Sequence, residues 1–444
     1  MCRTFSIKIN FTLVVLLIFA VKSFAQQADT LKTERFSVHA QTTVVNQNKP
    51  AFDAKYTGDN SLLPGKESQT SLTSTLYLGA RLWKGASAYI NPEIAGGSGL
   101  SASLGVADAT NGETFRVADP APVIYVARVY FNQMFPLTKE TIPQTGDANQ
   151  IQGYLPAKYL SLTVGKVSVS DFFDKNKFSH DPRNQFMAWS LMNNGAWDYP
   201  ANTRGYTPSF VVEYVTPDNE LRYGFSLIPT TANGAIMDWA ISKAGSHTLE
   251  FTHRYKIAGQ EGAVRLLGFF TTGKMGSYSQ SIALNPVNPL VQKVEKYGNT
   301  KYGFALNAEQ NITNDLGCFL RASWNDGKNE TWAFTEIDRT VSAGLSMTGE
   351  RWKRKNDNVG LAYVVSGISQ AHQDYLRAGG KGFMLGDGNL NYGLEHLTEL
   401  YYSFELLENK IYLTGTYQLL INPGYNKDRQ GPVNVFSARL HFKI

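Results

Sequence analysis

With 444 residues, 43% of them hydrophobic and 12% aromatic, the chain is long enough for two or three globular domains or for one large barrel. Its 42 basic and 37 acidic side chains leave +5, and removal of an export segment carrying Arg3, Lys8 and Lys22 lowers this to about +2, which is no electrostatic footprint for nucleic acid. Cys2 leaves with that segment and Cys318 stays alone, which excludes a disulfide framework; Cys318, among strand-type neighbours, reads as a small packing residue.

Residues 1–25 have the layout of a secretory signal: Arg3 and Lys8, an apolar run over 11–21, then Ser23, Phe24 and Ala25 before Gln26, with cleavage expected after Ala25. The apolar run is too short to cross a bilayer as a helix. After it come short segments in which apolar and polar residues alternate. Tyr77, Gly79, Arg81 and Trp83 interleave with Leu76, Leu78, Ala80 and Leu82; beyond a tight turn, Tyr89, Asn91 and Glu93 interleave with Ala88, Ile90 and Ile94. Further on, Leu249, Phe251 and Tyr255 flank Glu250 and Arg254, and the C-terminal run sets Phe436, Ala438, Leu440, Phe442 and Ile444 against Arg439, His441 and Lys443.

Such two-faced segments are strands with one greasy and one polar side. A bilayer core leaves no backbone amide unpaired, so a spanning chain without spanning helices must close into a barrel. The alternation predicts strands at 35–45, 71–83, 86–95, 122–135, 159–168, 206–216, 220–229, 246–257, 262–271, 301–312, 316–325, 338–350, 358–369, 397–406, 411–421 and 433–444. Sixteen is an even number, as single-chain bacterial barrels require. Residues 26–444 are thus read as one all-β domain, a transmembrane antiparallel barrel.

Short connections (84–85, 216–219, 313–315, 408–410) mostly alternate with long ones (46–70, 170–205, 272–300, 370–396), the pattern of periplasmic turns and outer loops. The stretch 136–158 falls on the short side yet is long: either a periplasmic excursion or a slip of register.

The third outer loop, 170–205, is the densest chemical stretch. Phe172, Phe173, Phe186, Trp189, Trp197 and Tyr199 are interleaved with Asp171, Asp174, Asp181, Arg183, Asn193, Asn194, Asp198 and Arg204. An exposed loop needs no such aromatic load, so it is expected to fold into the barrel and narrow the lumen. Sugars suit such a lining, because a pyranose stacks its C–H face on Trp or Tyr while Arg and carboxylates take its hydroxyls. A plainer reading is that Phe186, Met187 and Leu191 form one face of a short helix that packs the loop to the wall.

This loop with the preceding VGKVSVSDFF, together with NPEIAGGSGLS at 91–101, NGETFRVADPAPVIYVARVYF at 111–131 and INPGYNKDRQGPVNVFSARLHFKI at 421–444, resembles the carbohydrate-selective outer-membrane porins of the OprB type. The resemblance covers most of the mature chain and implies a sixteen-stranded barrel through which small sugars diffuse passively. Its pattern of inward Arg and Glu on neighbouring strands with a folded-in third loop implies an eyelet at Arg81, Glu93 and Arg128 with the loop residues Asp171, Trp189, Trp197, Asp198 and Arg204; Glu399, inward by strand parity, joins this set. One departure is the last residue: such barrels commonly end in an aromatic, whereas this chain ends in Ile444 with Phe442 two before it.

By parity the lumen carries Arg81, Arg128, Arg222, Arg254, Arg265, Arg321 and Arg439 against Glu93, Glu213, Glu250, Glu309 and Glu399. A strong ion filter uses rings of one sign, so this balance suits a neutral, hydroxyl-rich solute, although several pairs can simply brace the wall. A general, non-selective porin stays open, as does a passive structural barrel with a filled lumen. A barrel enzyme such as a lipase or deacylase needs Ser and His near the membrane surface. His253 is the one hint, and without a GxSxG elbow or HExxH no enzyme is expected. GDGN at 386–389 lacks the spaced carboxylates of a calcium loop and reads as a turn; no cofactor or metal is expected. The partners expected are small sugars and outer-membrane lipid, with a homotrimer left open, in the bacterial outer membrane.

Overall fold

The computed structural model describes residues 31–114 and 121–444. The signal segment therefore lies outside the described residues. The strands are β1 (Phe36–Lys49), β2 (Glu67–Trp83), β3 (Ala86–Gly97), β4 (Val123–Pro136), β5 (Thr141–Gln144), β6 (Gly153–Pro156), β7 (Tyr159–Val167), β8 (Thr207–Val215) and β9 (Asn219–Ser226). They continue with β10 (Gly245–Ile257), β11 (Gln260–Gly273), β12 (Asn299–Asn311), β13 (Leu316–Asn325), β14 (Arg339–Gly349), β15 (Arg354–Gly367), β16 (Glu395–Leu407), β17 (Ile411–Ile421) and β18 (Val433–Lys443). All except β5 and β6 join in one closed antiparallel barrel, so the sixteen strands read from alternation are the sixteen that close. The seam pairs β1 with β18, from Gln41 opposite Lys443 to Asn48 opposite Phe436, and leaves no sheet edge unpaired.

Alternation sets the two faces. On β10, Leu249 and Phe251 are 52% and 43% exposed on the outer wall, where lipid meets them, while Thr248, Glu250 and Thr252 are each 1% exposed toward the interior. Cys318 is half-buried and unpaired on β13. The connection 137–158 is an excursion rather than a slip: it folds into the two-stranded β5–β6 hairpin, and the strands on either side keep register.

One register feature shapes the interior. Between β3 and β4 the pairing passes from Asn91 opposite Arg128 to Pro92 opposite Val126, so Ala127 is an extra residue on β4. Pro92 cannot donate to the ladder, which makes this the place for a bulge. A one-residue bulge flips the faces beyond it. Tyr125, which parity along β4 sets on the lipid side, therefore points inward with Arg128 and Tyr130.

The interior is filled by outer loops. Residues 98–114 and 168–206 both turn into the lumen, and Gly112 N–H donates to Met187 O at 2.8 Å where they cross. Above them, helices Tyr278–Leu284 and Gln370–Arg377 pack together, with the His372 ring stacked on Tyr278 at 4.4 Å.

Candidate functional site

Loop 168–206 is held across the barrel by carboxylates that accept its backbone N–H groups. Glu250 on β10 accepts from Asp174 N (2.7 Å), Glu309 on β12 from Lys177 N (2.6 Å), and Glu399 on β16 from Met187 N (2.6 Å) and Ala188 N (3.0 Å). Arginines fix the carbonyls: Arg321 donates to Leu191 O and Ser179 O, and Arg439 to Pro182 O and Gln185 O. A loop at membrane depth has no bulk water to satisfy its backbone, so inward charges on the wall do so. Several charges that parity places in the lumen thus hold the loop, whereas the plainer reading had them brace the wall in pairs.

Aromatic packing finishes the job. Phe186 wedges between Phe319 (5.6 Å) and Tyr401 (4.9 Å), over Gly360, where a Cβ would meet the Tyr401 ring at 2.3 Å. Phe178 sits on Gly317, whose Cβ would fall 2.0 Å from that ring. Both glycines are there to admit a loop ring against the wall.

A cluster of charges and tyrosines gathers on one side of the lumen, between β2, β3, β4 and the two ends of the loop. Arg128 donates from Nε and Nη2 to both carboxylate oxygens of Asp171, at 2.6 and 2.8 Å. Arg183 donates to Glu113 at 2.8 Å, to the Tyr77 hydroxyl at 3.1 Å and to Glu93 at 3.4 Å. Glu93 also accepts from Thr75 (2.6 Å), from Tyr206 (3.0 Å) and from Tyr125. Arg128 lies over the Tyr206 ring at 5.1 Å and Arg204 over the Tyr125 ring at 4.2 Å. Burial alone raises the Asp171 carboxyl, but the Arg128 charge and its two hydrogen bonds outweigh this and hold it below the usual carboxylate range. The side chain of Asp171 keeps 33% of its surface exposed, and Arg128 and Arg183 each keep 13%. Among the described residues this is a ring of alternating sign lined by tyrosines.

Of the residues expected from the sequence, Glu93, Arg128, Asp171 and Arg204 come together here. The other five do not. Trp197 has no exposed surface, held edge-on to Phe173 and against Tyr199, and Trp189 is stacked on Phe334 at 5.3 Å. Asp198 accepts from Trp332, Ala333 and Phe334 N at 2.7, 2.8 and 2.9 Å, and Glu399 is spent on the loop backbone. These four present nothing to the lumen because the rings and carboxylates that fold the loop inward are consumed in holding it. Arg81 lies lower, at the short-turn mouth, donating to Glu34 O and Gln152 O.

Tyr77, Glu113, Tyr125 and Tyr206 were not expected, and Arg183 was not singled out from the other polar residues of its loop. Tyr125 was hidden by the bulge; Pro92 was the signal that could have revealed it. His253, the hint of an enzyme, is on the outer face and bonded to Asn219 (2.9 Å).

A family model described as carbohydrate-selective porin, OprB family, matches residues 59–444. The high-pH structure of OprB from Pseudomonas putida superposes with a TM-score of 0.69 at 16% identity, covering 92% of this chain and 94% of that one. Its low-pH structure gives a TM-score of 0.50 at 13% identity, with 92% and 93% covered. The outer-membrane channel DcaP of Acinetobacter baumannii gives 0.50 at 10%, with 92% and 97% covered. Comparison with curated proteins gives no match. At these identities the structural likeness carries the barrel fold, while the family match, over most of the chain, carries the kinship. The chain belongs to the OprB family of carbohydrate-selective porins.

Proposed function

We propose that small neutral sugars cross this barrel by passive diffusion, and that selection takes place where Glu93, Asp171, Arg128, Arg183 and Arg204 face Tyr77, Tyr125 and Tyr206. The observation that carries the reading is the alternation of sign around aromatic rings. A ring of one sign would filter ions; neighbouring donors and acceptors suit hydroxyl groups, and the tyrosines suit the C–H face of a pyranose. The bidentate Arg128–Asp171 pair supports this, because it cancels charge locally while leaving both partners within reach of a solute. No bond is made or broken in such a passage, and the driving force is the concentration difference.

Export through cleavage after Ala25, and assembly of the barrels into a homotrimer, belong to the same proposal. N-terminal sequencing of the purified protein and the mass of the detergent-solubilised particle test them.

The main test is conductance of the purified protein in a planar bilayer, with glucose, maltose and a neutral non-sugar of equal size added in turn. Saturable reduction of current by the sugars alone is expected. Current without sugar-specific block indicates a general porin, and absence of current a structural barrel or an enzyme.

A further inference from the structure

The hairpin 137–158 does more than decorate the short-turn end. Leu137 N donates to Lys158 O at 2.8 Å at its base, and Glu34 N donates to Gln152 O at 3.1 Å. Its tip turns back into the barrel: Asn91 Nδ2 donates to Asn149 Oδ1 at 2.8 Å, and Ile151 is buried. Asn91 is the inward residue next to Glu93 on β3, so the tip stops directly beneath the constriction. Between tip and wall is a cavity of about 1200 Å³.

We infer that this cavity is a second, exit-side carbohydrate subsite, in which the folded-in hairpin presses a passing sugar against the Tyr89–Tyr130 pair. The inference rests on the sugar-channel reading above and extends it to a place where that reading assigns nothing. Tyr89 and Tyr130 are stacked with centroids 4.9 Å apart and planes 21° apart, and both are half-buried on the cavity wall. Tyr130 follows Arg128 by two residues on the same face, and Phe172, beside Asp171, forms the ceiling. A solute leaving the constriction therefore enters onto an aromatic surface. Beside it on the same face of β4, the half-buried Asn132 donates to the buried Ser161 Oγ (2.7 Å) and Thr163 Oγ1 (2.9 Å), so the wall next to the rings is neutral and polar.

Charge argues for the same class of ligand. Glu213, on this wall, is paired with Arg222 at 2.8 Å, and Arg81 is engaged by two backbone carbonyls. The lining also carries Glu34, Arg35, Lys84 and Lys139, so charges of both signs supply donors and acceptors beside the stacking surface. The cavity's volume exceeds the roughly 300–1,000 Å³ of an ordinary small-molecule site, which leaves room for an oligosaccharide as well as for one hexose.

The test is single-channel recording of the full chain with maltotriose added on one side at a time. The wild type is expected to give two blocked-state lifetimes, with the longer one favoured by addition on the short-turn side. Tyr130→Ala is expected to shorten that lifetime roughly three- to tenfold, the factor set by one aromatic contact, and to leave the other. Replacing 146–151 by a Gly-Ser turn is expected to abolish it and raise the conductance. A single lifetime in the wild type, the same from both sides, overturns the subsite while leaving sugar passage through the constriction intact; this outcome needs no variant to fold. Absence of sugar block from either side overturns the sugar reading and the subsite with it.

Discussion

The Arg128 guanidinium grips both carboxylate oxygens of Asp171, at 2.6 and 2.8 Å, so the first residues of the folded-in loop are pinned to β4. The same two hydrogen bonds anchor the loop and cancel charge in the channel. Asp171→Asn separates these effects. It keeps one acceptor for Arg128, at a cost of about 1–2 kcal/mol in local stability, and leaves an uncompensated positive charge facing the solute. Reversal potentials in a potassium chloride gradient should shift toward chloride selectivity, and glucose block should weaken. An unchanged reversal potential would place the open path elsewhere in the barrel.

Much of the barrel was legible in the sequence because lipid and water impose opposite demands on alternate residues: Leu249 and Glu250 are adjacent in sequence and opposite in environment. The inward turn of the third loop was legible too, from an aromatic load no exposed loop carries. Which of its rings would face the solute was not. Trp197 and Tyr206 are equally aromatic, and only the positions of Phe173, Tyr199 and Glu93 decide that one is packed away while the other reaches the constriction. Partners such as Arg183 with Glu93 and Glu113 lie 90 and 70 residues apart, beyond any local pattern. Strict alternation along β4 would set Tyr125 toward lipid, and the extra residue at Ala127 breaks it.

Trp197 and Tyr206 therefore call for different outcomes. Trp197→Ala removes a fully buried ring and costs about 3–5 kcal/mol. It should disorder the loop, raise conductance and weaken sugar block only as a consequence. Tyr206→Phe removes one hydrogen bond to Glu93, worth about 1 kcal/mol, and should alter sugar block at unchanged loop protection. Hydrogen exchange of residues 168–206 alongside the current recordings distinguishes the two. If Trp197→Ala changed block with exchange unaltered, its ring would have to touch solute after all.

Asp198 ties the inner loop to the outer loop 326–338 through the N–H groups of Trp332, Ala333 and Phe334. Asp198→Ala leaves three buried donors without their acceptor, at about 1–3 kcal/mol each if none finds a substitute. Faster exchange of amides 332–334 is expected, and barrel melting should fall as well, because the fully buried Lys301 ammonium of β12 loses its carboxylate partner at 3.6 Å. Protection equal to wild type would mean that other acceptors take over.

Glu330 links pH to the outer cap. Its carboxylate, in outer loop 326–338, accepts the Gly276 N–H of the loop after β11 at 2.6 Å, and burial, reinforced by neighbouring Glu295 and Glu336, pushes its pKa up to about 8 from 4.5. With the native value raised, the folded cap binds the proton more tightly than the unfolded chain does. Its contribution is fully present below about pH 4.5 and is lost as pH rises through about 8. Exchange protection of residues 274–298 and 326–338 should fall between pH 6 and pH 9, by the linkage slope of roughly one proton. Glu330→Gln retains an oxygen for Gly276 and carries no charge at any pH, so it should match wild type near pH 5 and exceed it at pH 9. If the variant and the wild type lose protection in parallel across this range, the pH dependence comes from another group.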